Sequence, residues 1–62
     1  MNYAKMILKY RQKTLITQQE LARILGVGVA SISRWERGHY EPTMKVKREL
    51  NLLFRQSKLV EE

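Results

Sequence analysis

The side chains of this 62-residue chain that could do chemistry are suited to holding an anion, not to making or breaking bonds. Catalysis would need a nucleophile beside a base, or paired carboxylates, and neither spacing occurs. Gly26-Val27-Gly28 is no phosphate-cradling loop, because it lacks a preceding strand and a third glycine. His39 is the single histidine and cysteine is absent. No catalytic residue, metal, cofactor or small-molecule ligand is therefore predicted. What remains is a group of donors and cations near the middle of the chain: Gln18, Ser33, Arg34, Arg37, His39 and Tyr40. Twelve Lys and Arg against six acidic residues give a net charge of +6 and a pI near 10.1. Such a balance favours a polyanion, either nucleic acid or an anionic membrane surface, although it also serves solubility.

The elements that must position these groups can be read from caps and periodicity. Thr17-Gln18-Gln19-Glu20 has the spacing of a capping box, in which Thr17 and Glu20 satisfy each other's backbone N–H groups. Leu21, Ala22, Ile24 and Leu25 follow at helical spacing, and Gly26 stands where a left-handed cap would end the helix. A second run, Val29, Ile32 and Trp35, stops at Gly38. Two short helices, about Gln18–Leu25 and Val29–Arg37, thus flank a glycine turn, and Val27 is expected to plug the gap between them. Small Ala22 allows the helices to cross closely. From residue 17 to 38 this is the pattern of a helix-turn-helix, the arrangement that seats its second helix in the major groove of duplex DNA.

Before this motif, Asn2 caps a first helix whose Tyr3, Met6, Ile7 and Tyr10 share one inward stripe, with Lys5, Lys9 and Lys13 off it. That helix is expected to end near Lys13. Thr14–Ile16 is the connection, and because Leu15 is poorly suited to a left-handed turn, a helical extension is expected there instead of one. Ile16 is expected to staple onto Leu21. After Gly38, a proline-containing loop leads to Thr43, expected to cap a last helix over about 43–56, with Val46, Leu50, Leu53 and Phe54 facing in. Lys45, Lys47, Arg48, Glu49 and Arg55 are then left to face out. Residues 57–62 are expected to fray, with Leu59 and Val60 as loose apolar residues. The chain holds one small domain, residues 1–62, and a domain this size buries only about 60% of its unfolded surface. No stretch is apolar enough to span a membrane and no signal peptide opens the chain, so a cytoplasmic protein without membrane contact is expected.

Residues from Lys9 to Pro42 resemble the Cro and phage-repressor type of helix-turn-helix domain, the XRE family. The signature is LTQQELARxLGVxxxxISRWERGxxxP, here with Ile16 in place of the leading Leu, and it covers about half the chain. The resemblance implies an all-α bundle of four to five small helices with the lambda-repressor-like fold. It implies Gln18, Arg37 and the backbone around Gly38 as phosphate contacts, a role His39 and Tyr40 could share. It also implies Gly28, Val29, Ala30, Ser33 and Arg34 as base readers, and an ion pair between Arg11 and Glu36. Gln18 also makes physical sense in its role, because a helix N-terminus attracts anions.

The chain departs from the family where Gln or Ser often stands, with Gly28, Val29 and Ala30. None can hydrogen-bond a base edge through its side chain, and Val29 and Ala30 can at most pack on thymine methyl groups, which makes Arg34 the strongest reader, bidentate to a guanine, with Ser33 second. Blander roles stay open. Arg34 could be a solvated or phosphate-bound arginine, Tyr40 could merely cover its loop, and the helix lysines could form only a wet face. Trp35 continues the inward stripe and reads as core.

The function expected is sequence-specific binding of double-stranded DNA by a transcriptional regulator, a repressor that occupies its operator. A homodimer on a two-fold site is expected, with Leu52, Phe54, Leu59 and Val60 as its surface. The alternative is an antitoxin or adaptor module of the same fold that binds a protein partner and has little DNA specificity.

Overall fold

The computed structural model describes residues 2–58. They form four helices and, among the described residues, no strand: α1 (Tyr3–Thr14), α2 (Gln18–Leu25), α3 (Val29–Glu36) and α4 (Met44–Gln56). The expected all-α class is what the chain adopts. The expected tail residues Leu59 and Val60 lie outside the described residues.

Side chains cap the starts of α1 and α2 but not those of α3 and α4. Asn2 accepts from the Lys5 N–H. Thr17 and Glu20 form both halves of the capping box, at 3.1 and 2.8 Å. Thr43 occupies the N-cap of α4 in extended conformation, but its side chain makes no capping hydrogen bond, contrary to expectation.

The helix ends repeat one device. At Gly26 the chain turns left-handed (φ 70°), and the N–H of Val27 donates back to the Ala22 carbonyl. At Gly38 (φ 79°) the N–H of His39 donates to the Arg34 carbonyl and that of Gly38 to Trp35. These six-to-one closures satisfy carbonyls that a helix end leaves bare.

The end of α1 corrects the sequence reading. Leu15 is left-handed (φ 60°), so α1 stops at Thr14 instead of extending through the connection. The same closure is made there without glycine, with the Ile16 N–H on the Arg11 carbonyl. Leu15 is 88% exposed, so its side chain meets little that would oppose the turn.

Packing gathers one core from all four helices: Met6, Ile7 and Tyr10 from α1, Leu21, Ala22 and Leu25 from α2, Ile32 and Trp35 from α3, and Val46, Leu50 and Phe54 from α4. Ile16, Val27 and Leu53 lie half-buried against it. Tyr10 and Phe54 meet at 5.9 Å between ring centres with planes tilted by 58°, a favourable aromatic arrangement. Two runs read as apolar stripes are trimmed, since Ile24 and Val29 are exposed. Helix α3 packs against α2 and α1, while α4 meets α1 and α2 from behind. Phe54 is thereby sealed in the core and cannot serve a dimer surface, whereas Leu52 is exposed.

Candidate nucleic-acid interface

Helix α3 has two unlike faces, and the difference comes from its neighbours. Ile32 and Trp35 are buried beneath it. Val29, Ala30 and Arg34 are exposed and Ser33 is half-buried. Residues 29, 30, 33 and 34 fall within one strip of a 3.6-residue helix, so the strip left uncovered is continuous. Gly28 sits at the N-cap with an ordinary extended backbone (φ −77°, ψ 152°) and open space around its Cα. Glycine there leaves α3 without a side-chain cap and keeps the start of the strip bare.

The orientation of α3 is fixed by a polar cluster as well as by the core. Arg11 of α1 donates from Nε to Glu36 Oε2 at 2.6 Å and from Nη2 to Glu36 Oε1 at 3.0 Å. This is the bidentate geometry that gives arginine–carboxylate pairs both strength and direction. Their side chains are only 19% and 10% exposed, so the pair is largely shielded from water. Arg11 also reaches the Ile16 carbonyl from Nη1 at 3.3 Å, tying down the α1–α2 connection. Burial alone would push the Glu36 carboxyl up, but hydrogen bonds from Arg11 and Gln18, with the Arg11 charge, outweigh it and hold the group below its ordinary value. The hydrogen bond to Glu36 raises Arg11, against its own burial.

Gln18 is the member of this cluster that the sequence reading missed. Its Nε2 donates to Glu36 Oε1 at 2.9 Å, so one carboxylate joins α1, α2 and α3. A contact between residues eighteen positions apart leaves no local pattern, and only the pairing of Gln18 and Glu36 in one signature hinted at it. One Nε2–H of Gln18 stays available, as amide nitrogen carries two. The capping box engages the N–H groups of Thr17 and Glu20 and leaves those of Gln18 and Gln19 outside it.

The remaining predicted groups follow Glu36 directly, at the same C-terminal end of α3. Arg37, Gly38, His39 and Tyr40 are all exposed. The loop they begin is pinned beyond them by buried Pro42 and by the pair Glu41–Lys47, with Lys47 Nζ 2.8 Å from Glu41 Oε1 and 5.3 Å from the Tyr3 ring centre. Arg34 lies with its guanidinium carbon 5.9 Å from the centre of the Tyr40 ring. A cleft of about 710 Å³ runs beside this loop, lined by Asn2, Lys5, Trp35, Arg37, Tyr40 and Glu41 among others. It brings no paired carboxylates and no nucleophile beside a base.

The helix-turn-helix family profile matches residues 7–50. The chain belongs to that family, in its XRE type. Among curated relatives, this helix-turn-helix chain is 49% identical over 39 residues to the HTH-type transcriptional regulator DicA of Escherichia coli (strain K12), covering 61% of the chain and 29% of DicA. It is 36% identical over 56 residues to Antitoxin MqsA of the same strain, covering 90% of the chain and 43% of MqsA. The chain thus spans less than half the length of either relative. No solved structure gives a significant match. No helix among the described residues is long and apolar enough to cross a membrane, and no cluster of potential metal ligands occurs among them.

Proposed function

We propose that this chain binds double-stranded DNA sequence-specifically through the major groove, as a transcriptional regulator that represses by occupying its operator. The observation that carries the reading is the two-faced α3. Its uncovered strip presents Val29, Ala30, Ser33 and Arg34, while Ile32, Trp35 and the Glu36 cluster hold the opposite side. Arg34 is the reader of greatest discrimination, through O6 and N7 of a guanine, with Val29 and Ala30 against thymine methyl groups. Two groups of donors hold phosphates. The start of α2, with the spare Gln18 N–H and positive helix end, takes one, and Arg37, the Gly38 backbone and His39 take the other. The likeness to DicA, a transcriptional regulator by name, supports this reading.

One module makes few base contacts, so two copies on a two-fold site, about one helical turn apart, give useful affinity. Of the residues expected at their contact, Leu52 is the one among those described that is exposed. A second reading is favoured by the antitoxin relative, whose match covers 90% of this chain, and by the plain side chains at residues 28–30. In that reading a protein partner is bound as well, or instead.

Selection from randomised duplex decides between them. The DNA reading predicts a two-fold consensus, and Arg34→Ala should relax one base position per half-site, costing about 1–3 kcal/mol there. Enrichment of no sequence would leave the antitoxin or adaptor reading in its place.

A further inference from the structure

We infer that Tyr40 is a positioning residue for Arg34, a role that rests on the DNA reading above and specifies how its one charged reader is aimed. Of the five candidate readers, Gly28, Val29, Ala30, Ser33 and Arg34, only Arg34 carries a charge, and it stands exposed on a flexible stem. An unsupported arginine gives up much side-chain freedom when it locks onto a base edge, and that loss subtracts from discrimination. Tyr40 removes part of it beforehand. Its ring centre lies 5.9 Å from the Arg34 guanidinium carbon, within the range of cation–π attraction, and Tyr40 is itself 63% exposed and absent from the core. Cation–π attraction uses none of the guanidinium's N–H donors, so its fork stays free for two acceptors.

The backbone makes this contact a property of the turn. The Gly38 turn sends the chain back so that the His39 N–H, beside Tyr40, donates to the carbonyl of Arg34 itself at 3.2 Å. Beyond the tyrosine, the loop is held by buried Pro42 and the Glu41–Lys47 pair. Tyr40 is therefore anchored on both sides within reach of the reader.

The test has a DNA-free arm and a DNA arm. In the free protein, ring-current shielding should move the Arg34 side-chain protons upfield, persist in Tyr40→Phe and vanish in Tyr40→Leu. On duplexes that vary the base read by Arg34, as located with Arg34→Ala, Tyr40→Leu should lose about two- to fivefold of guanine preference, the strength of an exposed cation–π contact. The loss should be confined to that base position, and Tyr40→Phe should keep the native preference. Thermal melts check that both variants fold. Absent shielding, unaltered preference in Tyr40→Leu, or equal weakening of every duplex in Tyr40→Leu and Tyr40→Phe overturns the role; the last would make the hydroxyl a phosphate donor. If the native protein prefers no sequence, the DNA reading falls and this role with it; if a consensus is found but Arg34→Ala relaxes no position of it, Arg34 is no reader and this role alone falls. Shielding in the free protein distinguishes either outcome from a missing contact.

Discussion

Leu15 occupies a left-handed backbone conformation with its side chain almost wholly in water. That conformation costs an L residue about 1–2 kcal/mol, and glycine avoids it at a smaller cost in unfolded-chain entropy. Leu15→Gly should therefore stabilise the protein by about 0.5–1 kcal/mol, read as a rise of several degrees in Tm. A lower Tm would mean that the leucine contributes packing not evident from its exposure. The sequence could not announce this turn, because leucine argues locally for helix. Arg11 overrides the preference through its carbonyl and guanidinium, which hold both backbone groups of Ile16.

Glu36 sets a second residue-scale expectation. With its carboxyl held below its ordinary value, the cluster's contribution is complete above the unfolded glutamate pKa of about 4.3 and is lost as pH falls through the lowered folded value. Glu36→Gln should cost about 1.5–3 kcal/mol at neutral pH and shallow the acid limb of a stability profile. Some limb should persist, because Glu41 beside Lys47 is lowered in the same sense. An unchanged profile would show that the cluster orders α3 without stabilising the fold.

Among the elements, α1 to α4 were legible where capping and periodicity agreed: Asn2, the Thr17–Glu20 box, Gly26 and Gly38 all sit where the backbone needs them. Legibility failed at the margins of the stripes, because Ile24 and Val29 fit helical spacing yet lie just off the buried arc. It failed again for Gln18, whose partner is distant in the chain. The exposed face of α3 was readable as a face, but which side chain does most on it depends on neighbours such as Tyr40 that periodicity does not reveal. The turn ending α3 carries an element-scale prediction. At Gly38 an added Cβ would meet open space, so any penalty is conformational. Gly38→Ala should lower stability by about 1–2 kcal/mol, with Gly38→Asn milder because asparagine tolerates the left-handed region. Equal penalties in a denaturant titration would point instead to lost contacts.

For the whole molecule, charge and size act together. Two of the basic residues, Arg11 and Lys47, are engaged by Glu36 and Glu41, and Arg34 and Arg37 stand exposed at and just beyond the end of α3. If Arg37 holds a phosphate, Arg37→Ala should weaken binding to all sequences alike and reduce the magnitude of the log affinity against log salt slope by about 0.9. A sequence-dependent loss with the slope unchanged would make it a base reader. The most direct test of the central claim is to label the protein with nitrogen-15 and titrate it with its selected duplex, following backbone amides and the Arg34 side chain. The largest shifts should fall at Val29, Ala30, Ser33 and Arg34, with further shifts at Gln18 and Gly38 and small changes on α4. Shifts confined to α4, or none on α3 at saturating duplex, would contradict that claim.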